Sequence, residues 1–265
     1  MQHPTFPAPH VLPPCLRTHL RAFQIDDVVF HTLPIGQGSF IMGSNDNHDD
    51  EKPAHEVHIG YPVEVSRYPV TQALWRAVMG NNPAYFSGDD RPVETVSWDD
   101  IRQSGGFLDR LNGRCRTADG QPLPGHFRLP SEAEWEFAAR GGQLGPWLGY
   151  PYPGSNHLPE AAWYSANSQG ESQAPGRKLP TPTGLHDMGG NVWEWVEDDW
   201  HSSYKDNPPN DVSAWIDQPE RGSRRVHRGG SWPGDADGAR VAYRDGYHPG
   251  LRLNDLGFRI AFVPQ

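Results

Sequence analysis

Three short blocks in the last third of the chain join glycine to a large aromatic ring or a charge. They are Gly189-Gly190-Asn191-Val192-Trp193-Glu194-Trp195, Arg228-Gly229-Gly230-Ser231-Trp232 and Leu256-Gly257-Phe258-Arg259. Glycine admits backbone conformations that a side chain forbids and lets another group approach closely. Tryptophan beside it supplies a broad apolar plate with one N–H to satisfy. Such blocks suit a core in which irregular backbone is held by aromatic packing as well as by sheet ladders. The rest of the composition agrees. The 29 glycines and 27 prolines of the 265 residues imply many loops, and ten Trp, ten Phe and nine Tyr can bury a sizeable core.

Along the chain, residues 1–24 read as a proline-rich leader, and residues 25–265 as a single domain. Alternation over Val28–Met42 and again over Glu56–Val65 predicts extended segments, separated by an exposed acidic loop at Asn45–Pro53. Three helices are expected. Thr71 caps the first, which Gly80 ends; Ser97 caps the second, with Ile101, Leu108 and Leu111 on one face; Ser131 and Glu134 form a capping box for the third, which ends at Gly141-Gly142. Glu132, Glu134 and Glu136 then serve capping and the helix dipole. Beyond Gly141 no long helix is expected. The fold class is α+β, with helices early and an irregular, sheet-based second half.

Charge and cysteine usage exclude several functions. The formal net charge is −10 and the longest basic run is Arg224-Arg225, so nucleic acid is not an expected partner. No apolar stretch reaches the ~20 residues of a membrane span. The N-terminus has neither the basic start nor the apolar run of an export signal, so a cytoplasmic monomer is expected. Cys15 and Cys115 are expected to remain reduced.

At this point the motifs converge. With Phe40-Ile41-Met42-Gly43-Ser44, Pro69-Val70-Thr71-Gln72, Val96-Ser97-Trp98, Phe127-Arg128-Leu129-Pro130-Ser131 and Gly184-Leu185-His186-Asp187-Met188 in order before the later blocks, the chain resembles the formylglycine-generating enzyme (sulfatase-modifying factor) family. That resemblance implies a loop-rich variant of the C-type lectin fold. It also implies a copper site made of two cysteines between the second and third blocks. The equivalent positions here are Ala236 and Val241. Cu(I) selects soft thiolates, so neither copper nor formylglycine generation is expected. Iron enzymes of the family draw ligands largely from an added N-terminal helical domain. A lectin-like domain beginning near residue 25 leaves no room for one, so iron is not expected either.

The resemblance implies a structural calcium site using the side chains of Asp187 and Glu194 and the carbonyls of Gly190 and Val192. A second, weaker set would be Asn167, Ser168 and Glu171. Hard oxygen donors of this kind suit calcium. Glu197-Asp198-Asp199 reads as a solvated acidic loop, and Asn191 and Arg259 as side chains that bond buried backbone. The segment 233–254 lacks a strand or helix period and mixes tyrosine, small and polar residues, as adaptable binding surfaces do. Its candidate ligand-binding residues, with the preceding Trp232, are Asp235, Asp237, Tyr243, Asp245, Tyr247, His248, Leu251, Leu253 and Asn254.

The expected function is a non-catalytic binding protein displaying residues 233–254 to a protein or other surface ligand. Among relatives of the family, the variable proteins of diversity-generating retroelements carry their diversified stretch between the second and third blocks. The competing reading is an enzyme or enzyme accessory of the same family, whose chemistry these residues do not identify.

Overall fold

In the computed structural model, which describes residues 20–145 and 148–265, the extended segments divide among three sheets. The largest has the order β6 (Arg116–Thr117), β1 (Arg21–Ile25), β2 (Val28–Pro34), β5 (Glu64–Ser66), β12 (Ala261–Pro264) and β7 (Gly125–Arg128). Strand β3 (Gly38–Met42) pairs only with β4 (His55–Ile59). The third sheet runs β10 (Arg244–Tyr247), β9 (Arg225–Arg228), β8 (Trp193–Asp199), β11 (Leu256–Phe258). Its only parallel pair is β8 with β11. Residues 1–19 of the expected leader lie outside the described residues, whereas residues 21–24 belong to β1.

The helices start where their caps predict. In α1 (Gln72–Met79) the Thr71 side chain accepts the Leu74 N–H, and Gly80 closes the helix at φ +82°. The Ser97-capped helix is not continuous. It stops as α2 (Trp98–Arg102) and resumes as α3 (Phe107–Arg114). Gly105-Gly106 breaks it: Gly105 sits at φ +73° and a Cβ on Gly106 would lie 2.7 Å from the Asp100 carbonyl oxygen. Helical periodicity across residues 101–111 reflects two helices that bury the same face. In α4 (Glu132–Ala139), Ser131 accepts the Glu134 N–H and Glu134 accepts the Ser131 N–H, completing the capping box. After Gly141 the described residues hold only α5 (Leu158–Ala161) and a short 3-10 turn at 142–144. No described helix is long and apolar enough to cross a membrane.

Two large cores follow from this arrangement. One packs α1, α2 and α3 against the sheets through Phe23, Trp75, Phe107, Trp195, Phe258 and Phe262. Trp75 stacks on Phe107 at 5.3 Å, and Phe258 meets Phe107 edge-on at 5.0 Å. The other encloses α4 between β3–β4 and the four-stranded sheet, with Trp135 and Phe137 at its centre. Trp98 and Trp195 anchor the helices to β8. Trp98 Nε1 donates to the Val196 carbonyl, and Trp195 Nε1 donates to that of Val96.

Candidate functional site

The three glycine-aromatic blocks meet on the four-stranded sheet. Gly190 takes φ +71°, and a Cβ there would collide with the Trp163 carbonyl. Gly230 takes φ +75° and would place a Cβ 2.9 Å from Gly238. Only glycine lets these turns close. Asn191, at φ +66°, then bonds buried backbone as expected: its side chain accepts the Gln173 N–H and donates to the Gln173 carbonyl.

On the face toward α4, each block brings a buried charge that finds its opposite. Arg259 makes a two-pronged pair with Glu194 at 2.6 and 2.8 Å and donates to the Ser66 and His186 carbonyls. Trp135 Nε1 adds a third bond to Glu194 at 2.7 Å. Arg228 pairs with Glu136 and donates to the carbonyls of Val241, Ala242 and Tyr243. Arg244 clamps Glu132 with two 2.7 Å bonds and reaches the Asp50 and His201 carbonyls. All three arginines are essentially unexposed.

These pairs correct the expectation for α4. Glu134 does cap, while also pairing with Arg128, but Glu132 and Glu136 are the buried anions that hold β9 and β10. Glu197-Asp198-Asp199 is likewise no solvated loop. It ends β8, and Asp199 is fully buried against Arg221 and Arg225. Burial and the neighbouring Glu132 push the Asp198 carboxyl up to about 8.

The calcium expectation meets the same chemistry. Both Glu194 oxygens already carry the Arg259 guanidinium. Asp187 accepts the Gly176 N–H at 2.8 Å and faces the Asn191 amide at 3.3 Å, and burial pushes its carboxyl up to about 6. A guanidinium fixed on both oxygens of one carboxylate does not fit a calcium shell, which needs several ionised or carbonyl oxygens turned to one point. In the weaker set, Asn167 bonds the Tyr164 N–H and the Ala162 carbonyl, Ser168 donates to the Trp232 carbonyl, and Glu171 pairs with Arg91 at 2.9 Å. Among the described residues, no group of three or more His, Cys, Asp or Glu side chains is placed to hold a metal.

The opposite face of the sheet is aromatic and partly open. On β10, Arg244 and Gly246 turn inward, while Asp245 and Tyr247 are half-buried on the outer side. So residues 244–247 do follow a strand period, contrary to the sequence expectation for 233–254. The run of four is too short, and too mixed, to show it. Tyr247 stacks on His227 of β9 at 4.3 Å. Trp193 of β8 meets His227 edge-on at 4.8 Å and Tyr243 at 5.8 Å. The turn at Gly238 lies against the Trp193 ring. His227 has no exposed surface, and neither ring nitrogen has a hydrogen-bond partner among the described residues. Burial, then Arg224 and Arg228, lower its pKa to about 3, so the imidazole is neutral.

The remaining candidates take three places. Asp235 caps the turn at Asp237 and Gly238, and Asp237 pairs with Arg240 and His48. Trp232 donates to the Asn254 carbonyl and meets Phe86 edge-on at 5.3 Å, away from Tyr243 and Tyr247. His248 is exposed and Leu251 half-buried, while Leu253 packs on the helical core. Sequence reasoning missed Trp193, His227 and His48. Alternation along β8 was the available signal for Trp193, since Trp195 on the same face is fully buried beneath it. Nothing local marks His227 or His48. Of the two positions standing for cysteines, Val241 is buried in the α4 core and Ala236 packs against the small cluster of Leu158, Ala162 and Ala239.

The Sulfatase-modifying factor enzyme 1-like domain matches residues 22–263. The chain belongs to the sulfatase-modifying factor family. Its fold is shared with Treponema denticola variable protein 1, at a TM-score of 0.77 and 31% identity over 92% of this chain and 99% of that one. Among curated relatives, serine/threonine-protein kinase Pkn1 of Chlamydia trachomatis is 31% identical over 84% of this chain, which spans 37% of the kinase. The inactive C-alpha-formylglycine-generating enzyme 2 of Mus musculus is 33% identical over 73% of this chain and 56% of its own. The family's loop-rich α+β architecture is therefore the frame on which the aromatic face sits.

Proposed function

We propose that this sulfatase-modifying factor family chain is a non-catalytic binding protein that displays residues 233–254, together with Trp193, as its ligand surface. The observation that carries this reading is the aromatic face itself. Trp193, Tyr243 and Tyr247 are half-buried on one side of a sheet whose other side is locked by buried arginines. Arg228 fixes the carbonyls of 241–243 and Arg244 fixes β10, so the rings are presented in place before any ligand arrives. Pre-organisation of this kind lowers the ordering cost of binding. Ala236 and Val241 carry no group for copper or redox chemistry, which supports a role without catalysis.

The likeness to a variable protein suggests that residues 228–259 are a diversified segment of the retroelement type. The test is genetic: a reverse transcriptase and a near-copy of the DNA encoding 228–259 should lie beside the gene. Their absence would leave a binding module without diversification. Incubation with Cu(I) and a cysteine-bearing sulfatase peptide should give no formylglycine. Conversion of that peptide would overturn the non-catalytic reading.

A further inference from the structure

The ring face carries more negative charge than its own cations can match. Around Tyr243 stand Asp245, Asp237, Asp50 and Asp235, which, after burial, push its phenol pKa upward. Asp245 and Asp255 act on Tyr247 in the same way, opposed by Arg224. The local guanidinium groups are largely spent. Arg240 is bound to Glu51 and Asp237, and Arg224 mainly serves the Gly246 carbonyl, reaching Asp245 only at 3.3 Å. Asp235 accepts two backbone N–H groups and has no cationic partner among the described residues. On the far side of the same sheet, by contrast, Glu132, Glu136 and Glu194 each have a buried arginine.

The rings themselves accept a cation. Arg240 already lies over Tyr243 at 5.6 Å, within the range of a cation–π contact. His227, neutral and without a hydrogen-bond partner among the described residues, backs Trp193 and Tyr247 with a further aromatic layer and adds no competing positive charge. An electron-rich aromatic floor with an acidic rim complements lysine or arginine and repels phosphate.

We propose that this face docks the basic surface of a partner protein, seating a lysine or arginine head group on the Trp193–Tyr243–Tyr247 rings and pairing it with Asp235 and Asp245. The proposal rests on the binding-surface reading above. Electrostatic pairing of this kind strengthens encounter and fixes partner choice, and it weakens as salt screens it.

The experiment uses the full chain and three dye-labelled peptides of equal length and equal tyrosine content, one rich in Lys and Arg, one neutral, one rich in Asp and Glu. Fluorescence anisotropy reads binding, and circular dichroism checks that each variant is folded. The basic peptide should bind saturably and the acidic one should not. Asp235→Asn with Asp245→Asn should weaken the basic peptide about tenfold, as loss of 1.4 kcal/mol would. Asp26→Asn with Asp27→Asn removes the same charge from the β1–β2 turn and should leave binding unchanged. Tyr243→Ser with Tyr247→Ser should abolish it. A neutral or acidic peptide that binds, is lost in the tyrosine variant and ignores the Asp235/Asp245 variant would overturn the basic partner while keeping the surface. Basic-peptide binding that survives the tyrosine variant, or falls equally with the Asp26/Asp27 variant, would overturn both. No binding by any of the three peptides would also reject the proposal.

Discussion

On one face of the four-stranded sheet, Glu194 and Glu136 meet buried guanidinium groups and Trp135 spends its N–H on Glu194. On the other, His227 is equally buried but neither ring nitrogen finds a partner among the described residues, under rings that are partly open to solvent. The first face is closed by its ion pairs. The second retains unspent capacity in its rings and carboxylates. A buried charge without its partner is far costlier than a neutral ring without one. Stability should therefore depend on the closed face and recognition on the open one.

The strongest break of that contrast is Arg259→Ala. It strands the Glu194 carboxylate where the only remaining donor among the described residues is Trp135 Nε1, and it frees the Ser66 and His186 carbonyls. Loss of one partner of a buried pair costs about 3–5 kcal/mol. Urea unfolding should show that loss, and adding Glu194→Gln should restore part of it by removing the stranded charge. A loss below ~1 kcal/mol would mean that Glu194 and Arg259 are not the buried pair described.

Arg228→Met is expected to cost less, because Glu136 keeps Arg140 at 2.6 Å. About 2–3 kcal/mol is reasonable for a buried charged hydrogen-bond network that loses one member but retains a counter-charge. Its signature is local. The carbonyls of Val241, Ala242 and Tyr243 lose their shared donor, so amide exchange through 241–244 should quicken more than exchange in β1 and β2. Equal acceleration everywhere would deny that Arg228 organises the display segment.

The two faces also differ in how legible they were in the sequence. The blocks announced the closed face, because glycines at Gly190 and Gly230 and the Trp-Glu-Trp run are local signs of tight turns around rings. The caps of α1 and α4 were local too. The charges of the closed face were not: Glu132 and Arg244 are joined across the whole lectin-like core, and no period or spacing encodes that pairing. Read alone, Glu132 and Glu136 look like helix-start acids, and Asp198-Asp199 like a loop. The break at Gly105-Gly106 was visible as residues but masked by apolar periodicity that continues across it. Tyr243 and Tyr247 of the open face were picked out by composition. Trp193 and His227 were not, since the first sits in a structural block and the second reaches the rings only through strand register.

A smaller and pH-dependent difference should come from His227→Phe. The folded imidazole takes a proton only near about 3, whereas an unperturbed histidine does so near 6.5. Between those values the unfolded chain binds more protons, so His227 supports full stability above 6.5 and loses it as pH falls, by up to about 1.4 kcal/mol per unit. Asp187, raised to about 6, has the opposite sign: the folded state holds its proton longer, so stability falls as pH rises from 3.8 toward 6. Comparing wild type with His227→Phe isolates the histidine. Phenylalanine keeps the stack with Tyr247 and Trp193 and should flatten the acid side of the curve with little change at pH 7. An unchanged acid slope would place the protonating group elsewhere.

The smallest expected effect is that of calcium. A ligand that binds only the folded state raises stability by RT ln(1 + [L]/Kd), which is about 2.7 kcal/mol at a hundredfold excess over Kd. The Asp187–Glu194 loop offers little room for that gain. Glu194 is already neutralised by Arg259, and Asp187 spends one oxygen on the Gly176 N–H and faces the Asn191 amide with the other. Melting at pH 7 in a chelator and in millimolar calcium should therefore give midpoints within about 1 °C, since 1 kcal/mol moves a chain of this size by only about 2–4 °C. A rise of several degrees in calcium that disappears in Asp187→Asn and also in Glu194→Gln would show Arg259 yielding Glu194 to the ion. The closed face would then be a metal-linked switch and not a fixed ion pair. The same titration on Glu194→Gln separates the cases, because a site built on Asp187 and carbonyls alone would keep part of the response.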